Sequence, residues 1–392
     1  MTFSQRTNWH RKPNRLGALH DALLADGEPL TDLTNSNPTQ CGIAYPEREI
    51  LAALSDRGAL VYEPEPRGFL QARKAVSDYY RRKDFSADSA RVFLAASTSE
   101  AYSLVLKLIC GSGDNILVPR PSYPLIEFLA GVNDVEVRPY RLVFDSGWGI
   151  DLASIQEELN SSTRAIVIIN PSNPAGVFLK ADELTALNEI ARRNNLALIV
   201  DEVFLDYPID SSVRPLSTVS NQGALTFTLN GISKSLGLPQ LKLAWISVCG
   251  NEEESGEAAR RLEILCDTFL SVNTPVQIAL PALFECGGSV QREINSRIRS
   301  NYARLTTDLI DPSPVSHLPS EGGWYSILRV PRIKSDEVWA LELLREKRIY
   351  VHPGFLFDLD DEGYLVVSLL TEEGQFAAGI NSIARWVADS TR

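Results

Sequence analysis

The sequence predicts an α/β protein built on a mostly parallel sheet, with a second, smaller α+β part. Two observations carry that expectation. Between Val92 and Cys249, short runs rich in valine, isoleucine and leucine alternate with longer helical stretches. Strands and helices in alternation pack as a parallel sheet with helices on both sides. Several runs are also apolar throughout, so both faces of those strands must be covered. The chain has 392 residues, 44% hydrophobic and 22% charged. That length suits two or three domains or subdomains and supplies ample core.

In chain order, the first helix begins after Asn14, a side chain able to cap it, and ends at Gly27. Leu16, Leu19 and Leu23 form its apolar stripe. Turn-rich text follows over 34–46. Seven runs read as strands: 92–95, 115–118, 135–138, 165–169, 196–200, 225–229 and 243–248. Helical text fills 100–109 and 181–194. Beyond Pro275 come helices, then strand-like 324–330, 349–351 and 364–369. A last helix carries Phe376, Ile380, Ile383 and Val387 at helical spacing. This later section reads as the smaller α+β part, with which the N-terminal segment can pack.

Charge and composition exclude several functions. Lysine plus arginine total 38 against 50 acids, a net charge of −12, which argues against a nucleic-acid binder. Five scattered cysteines, none in a CxxC, and four histidines give no zinc spacing. No metal is expected. Reduced thiols, the polar start of the chain and the lack of a membrane-length apolar run point to a cytoplasmic protein with no membrane role. Asn160-Ser161-Ser162 fits the glycosylation pattern but has no secretory context.

Ligands of parallel α/β sheets bind beyond the carboxyl ends of the strands. There the sequence places Ser97-Thr98-Ser99-Glu100, Pro121-Ser122-Tyr123-Pro124, Asn170-Pro171-Ser172-Asn173-Pro174-Ala175-Gly176, Asp201-Glu202 and Ser233-Lys234. Hydroxyls, an aromatic ring, an amide, a carboxylate and a lysine thus meet at one edge, a set suited to a flat anionic aromatic ligand. Each piece also has a plain structural reading. Ser97 and Glu100 fit a capping box, although the same helix start could bind phosphate. Asp201 could be a cap and Lys234 a solvated lysine. Gly231-Ile232-Ser233-Lys234-Ser235 is no phosphate loop, because Ser233 stands where glycine is needed. Gly111-Ser112-Gly113 lacks the third glycine of a dinucleotide fingerprint and precedes its strand.

In this order the residues resemble the class I/II aminotransferases, fold-type-I enzymes of pyridoxal 5′-phosphate (PLP) related to aspartate aminotransferase. Tyr62, Gly68, Arg73 and Gly113-Asp114 extend the match. So do Gly322-Gly323-Trp324-Tyr325 and Val351-His352-Pro353-Gly354. The resemblance implies a large PLP-binding domain over 46–280 with a seven-stranded sheet, and a small domain from 1–45 with 281–392. It implies that Lys234 forms the Schiff base and shuttles the proton. Asp201 would pair with the pyridine nitrogen, Asn173 with the ring 3′-oxygen, and Tyr123 would stack on the ring. Ser97, Thr98, Ser233 and Lys242 are the implied phosphate contacts. Tyr62 would reach in from a second copy, implying a homodimer with shared sites. The implied reaction is ping-pong amino transfer between an amino acid or amine and an oxo acid. A lyase or decarboxylase of the same fold is the alternative, and a non-catalytic PLP-binding protein is a more distant one.

Four departures stand out. Lys242 occupies a phosphate position usually held by arginine, and offers a point charge rather than a planar fork. Phe204 replaces a tyrosine whose hydroxyl would stabilise the ionised 3′-oxygen. The Schiff-base pKa should therefore exceed that of a Phe204→Tyr variant, which a spectrophotometric titration checks. Gly231 and Ser36 stand where serine and glycine are frequent. Val366 fills the slot of the arginine that grips the substrate carboxylate. Three explanations follow: another cation such as Arg67 or Arg329 takes over, the substrate lacks that carboxylate, or ordinary transamination is lost. Arg67 and Arg329 also read plainly as a surface or capping arginine and an ordinary salt-bridge partner.

Overall fold

The computed structural model describes residues 3–9, 13–309 and 313–391. His10, one of the four histidines, lies outside them. After β1 (Thr31–Asp32) come β2 (Val92–Ala95), β3 (Asn115–Arg120), β4 (Glu136–Phe144), β5 (Trp148–Ile150), β6 (Thr163–Ile169), β7 (Ala197–Asp201), β8 (Thr226–Gly231) and β9 (Ala244–Cys249). All seven expected runs form strands. The sheet nevertheless has eight, in the order β2-β9-β8-β7-β6-β3-β4-β5, which corrects the expected seven. The extra strand, β5, turns back along β4 through Leu142, Val143 and Phe144. Three residues on an edge are too few to show a period. β3, β4, β6, β7 and β8 run parallel, while β9 is antiparallel to both β8 and β2.

Alternate residues of the central strands feed two cores, as the pleat requires. Ile116, Val167, Ile199 and Phe227 pack with Leu104, Val105 and Leu262 of the Thr98–Ile109 and Glu252–Phe269 helices. Leu117, Ile166, Ile168, Leu198 and Val200 pack with Leu187 and Ile190 of the Ala181–Asn194 helix. The apolar runs are therefore covered on both sides.

The second sheet comprises β10 (Ser316–His317), β11 (Tyr325–Arg329), β13 (His352–Pro353) and β14 (Tyr364–Ser368), while β12 (Ile349–Tyr350) pairs in parallel with β1. The Asn14 side chain accepts the Gly17 N–H at 2.7 Å and caps the Arg15–Ala25 helix. Leu16 and Leu33 then join Val290, Trp339, Leu344, Phe376 and Ile380 in one core. The two ends of the chain thus close on each other. No helix among the described residues is long and apolar enough to cross a membrane.

One position bears directly on the site. A Cβ at Gly231 would lie 2.9 Å from Ala244 Cβ and 3.0 Å from the Leu243 carbonyl oxygen. The close β8–β9 pairing leaves no room for the serine frequent there in similar sequences. Gly231→Ser should lower the unfolding free energy by about 1–3 kcal/mol, read as a fall in the urea midpoint at unchanged slope.

Candidate active site

The carboxyl ends of β2, β3, β6, β7 and β8 bring Ser97 and Thr98, Tyr123, Asn173, Asp201, and Ser233 with Lys234 to one edge of the large sheet. Asp201 ends β7 opposite Ile169 of β6 and Leu229 of β8. Its Oδ1 accepts the Val203 N–H at 3.1 Å and its Oδ2 the Tyr102 hydroxyl at 3.2 Å. Burial pushes its carboxyl up to about 6, opposed by those two donors and by Lys234. It is therefore ionised at neutral pH.

Lys234 follows β8 on a short turn of helix. Burial lowers its amine to about 8, and the Asp201 charge works against that fall. Its Nζ lies 4.7 Å from the Trp324 ring centroid and 5.7 Å from that of Phe204. The Tyr207 hydroxyl donates to the Lys234 carbonyl and fixes the backbone beneath the amine. A lysine with a lowered pKa, partly enclosed by aromatic rings, differs from a solvated surface charge and has the chemistry to act as a nucleophile.

Behind Asp201 the turn is anchored from the opposite side. Glu202 is buried and accepts from Ser217 Oγ at 2.7 Å, Thr218 N at 2.7 Å and Thr218 Oγ1 at 3.0 Å. Burial raises it to about 7. Asp206 pairs with Lys83 and accepts the Tyr79 hydroxyl at 2.7 Å, and that hydroxyl accepts from Asn230 at 3.4 Å. The segment after β7 and the end of β8 are thereby tied together, which holds Asp201 and Lys234 in one frame.

Asn173 is 9% exposed and its buried Oδ1 has no hydrogen-bond partner. Such an orphan is costly unless something meets it. Ser97 caps the Thr98–Ile109 helix by accepting the Glu100 N–H at 3.1 Å, and Glu100 accepts the Ala96 N–H at 2.6 Å. Only the Ser97 half of the expected capping box forms, because Glu100 reaches the N–H of the residue before the cap, and the helix start lies at the edge that carries Lys234.

Other expected contacts lie elsewhere. Arg67 is spent on the Ala90 carbonyl and on Glu263, both at 2.7 Å, so it is not brought to the cluster. Tyr62 is 80% exposed and makes no hydrogen bond or ring contact with Lys234 or Asp201 among the described residues. Lys242 is exposed, in the left-handed region at φ 54°. Ser36 lies beside the Tyr325 hydroxyl and opposes the rise that burial imposes on it. Val366 is fully buried against Ala175, Leu318, Ile327 and Phe357. Arg329 is exposed at the end of β11.

Sequence reasoning missed Tyr102, one turn into the helix that Ser97 caps. An aromatic hydroxyl at that spacing beside a candidate anion site was the available signal. It also missed Phe357, which carries no polar mark at all.

The family model described as aminotransferase class I and II matches residues 22–378. Glutamate-pyruvate aminotransferase AlaA of Haemophilus influenzae is 26% identical over 95% of both chains. Alanine aminotransferase of Mycobacterium bovis is 27% identical over 93% of this chain and 87% of its own. Among solved structures, an Escherichia coli aminotransferase superposes with a TM-score of 0.86 at 24% identity, covering 99% of this chain and 98% of the other. The alanine aminotransferase of Pyrococcus furiosus gives 0.85 at 21%, over 98% and 100%. The chain belongs to the class I and II aminotransferases.

Proposed function

We propose that this aminotransferase holds pyridoxal 5′-phosphate at the edge formed by β2, β3, β6, β7 and β8, and moves an amino group between an amino compound and an oxo compound. The carrying observation is the Lys234–Asp201 pair: a lowered amine just past β8 and a half-buried carboxylate at the end of the neighbouring β7. The residues fit the cofactor. The amine suits its aldehyde, Asp201 its protonated ring nitrogen, the orphaned Asn173 amide its ring oxygen, and the Ser97–Thr98 helix start its phosphate. When bound, this group supplies an electron sink for the carbon that carries the substrate nitrogen.

Each side chain then has a task. Lys234 would hold the cofactor through its amine and, when that amine is free, would carry a proton from and to the substrate. Asp201 keeps the proton on the ring nitrogen, and Tyr102 and the Val203 N–H keep Asp201 in place. Tyr123 would stack on the ring, Trp324 and Phe204 flank the amine, and Ser233 would assist the phosphate. Tyr62 is supplied by a second copy in a homodimer, in keeping with the exposed run Leu60, Val61 and Tyr62. Residues 46–280 form the cofactor domain, 1–45 with 281–392 the small domain, and the enzyme works in the cytoplasm.

The neutral amine is the reactive form. Protonation below about pH 8 removes it, so loading of the apoprotein with pyridoxal phosphate should slow as pH falls. The expected slope is about tenfold per unit well below that value, with a plateau above it. Stopped-flow absorbance between pH 6 and 9 checks this; a flat profile would count against Lys234 as the acceptor. The reading as a whole is tested by the yellow band of the loaded protein, which should bleach with an amino donor and return with an oxo acceptor.

A further inference from the structure

Residues 320–323, which lead into β11, run between two loops at the edge of the large sheet. On one side is the loop after β6, which carries Asn173. On the other is the turn after β7, which leads to Tyr207. A Cβ at Gly322 would lie 2.6 Å from the Phe178 ring and 2.9 Å from the Tyr207 carbonyl oxygen, so the passage admits no side chain. Toward β6, the Gly176 carbonyl accepts the Glu321 N–H at 2.8 Å and the Gly322 N–H at 2.9 Å. Toward β7, the Glu321 carbonyl accepts the Ile209 N–H and the Tyr207 carbonyl accepts the Gly323 N–H, both at 2.9 Å. Tyr207 in turn donates to the Lys234 carbonyl. One short segment thus spans from the Asn173 loop to the backbone of Lys234.

The Asn173 loop is a closed turn. The Ser172 carbonyl accepts the Gly176 N–H at 2.8 Å, the Val177 carbonyl accepts the Ser172 N–H at 2.9 Å, and Ser172 Oγ accepts the Val177 N–H at 3.1 Å. Asn173 lies within it, so its amide goes where the turn goes. Ala175 anchors the apolar side among Leu318 and Ile327. Glu321 holds the polar side. Its Oε2 accepts the Phe178 N–H at 2.9 Å, and Lys180 Nζ donates to both carboxylate oxygens at 2.5 Å. The Lys180 pair is half-exposed and by itself adds little. The bond to Phe178 differs, because Phe178 is 3% exposed and its N–H would otherwise be a donor without a partner. Glu321 makes no hydrogen bond or ion pair with Lys234 or Asp201 among the described residues.

We propose that Glu321 is a positioning residue for Asn173: its carboxylate, by accepting the Phe178 N–H, fixes the turn from which the Asn173 amide meets the ring oxygen of the cofactor. The proposal rests on the cofactor reading above. A donor to that oxygen draws its negative charge away from the neighbouring Schiff-base proton, which is then lost at lower pH. A slack turn weakens the donor, so the pH midpoint of the yellow band's colour change rises.

Three variants separate reach from charge. Glu321→Gln keeps an acceptor of the same length, Glu321→Asp keeps the charge but withdraws it by one methylene, and Glu321→Ala removes both. In the apoprotein, amide exchange at Phe178 should quicken at least about tenfold in the Asp and Ala variants and stay within about threefold in the Gln variant. In the loaded protein, the midpoint should rise by about half a unit or more in the Asp and Ala variants and stay in place in the Gln variant. Asn173→Ala should raise it at least as far, and adding Glu321→Ala to Asn173→Ala should move it no further. Unchanged exchange at Phe178, an unmoved midpoint in the Asp and Ala variants, equal shifts for Gln and Ala, or a shift that adds to that of Asn173→Ala overturns the proposal and leaves the cofactor reading standing. A wild type that forms no yellow band removes the cofactor reading and the proposal with it. If Glu321→Ala does not fold, the Asp and Gln variants decide.

Discussion

A Lys234→Ala variant should retain the fold, bind pyridoxal phosphate without a covalent link, and lose amino transfer by about 10⁴-fold. The fold should survive because the backbone at this point is held by other groups. The Tyr207 hydroxyl binds its carbonyl, Ser235 Oγ donates to the Gly231 carbonyl at 3.0 Å, and Ile232 and Leu236 are buried in an apolar core. Removing a side chain whose charge is already disfavoured by burial should not weaken the apoprotein. Borohydride reduction followed by peptide mapping provides the readout. The wild type should carry the cofactor on the peptide containing Lys234, and the variant should carry none. A fixed cofactor on another lysine of the wild type would sink the assignment.

Asp201→Asn should lower turnover by about 10²–10³-fold while leaving the apoprotein as stable as before or slightly more so. The two effects have opposite signs for one physical reason. Burial raises this carboxyl to about 6, above its unfolded value. The folded chain therefore binds the proton more tightly than the unfolded chain, and the ionised form costs stability as pH rises through about 6. Asparagine keeps the Tyr102 contact without the charge, so the cost disappears together with the hold on the ring proton. Parallel thermal unfolding and steady-state kinetics separate the outcomes. A large loss of stability with intact kcat would make Asp201 a structural residue.

The large sheet was legible because its strands are short, apolar on both faces and separated by helices. The edge that carries Lys234, Asp201 and Asn173 was legible because strand ends are where a sequence pattern translates directly into position. What stayed hidden depends on partners far away in the chain. Arg67 looks free until Glu263 and the Ala90 carbonyl are placed beside it. Tyr102 is one more helix residue until Asp201 comes within 3.2 Å. Phe357 is an unremarked phenylalanine until β13 and β14 fold it toward Tyr123 and Tyr325. The pairing of β1 with β12 rests on two residues per strand, too short to leave a period. The departures were visible as letters, but only packing gave them meaning. Gly231 has no space for a side chain, and Val366 belongs to a buried apolar cluster.

The core shared by the two chain ends also sets an order of events during synthesis. Leu16 and Leu33 leave the ribosome roughly 300 residues before the surfaces that cover them, around Trp339, Leu344, Phe376 and Ile380. At ordinary elongation rates that leaves those leucines without their native cover for roughly twenty to seventy seconds. The large sheet, whose strands all lie within residues 92–249, has its complete sequence well before then. Nascent chains halted near residue 280 should therefore hold a protected sheet beside a protease-sensitive N-terminal arm, and that arm is where a chaperone would be needed most.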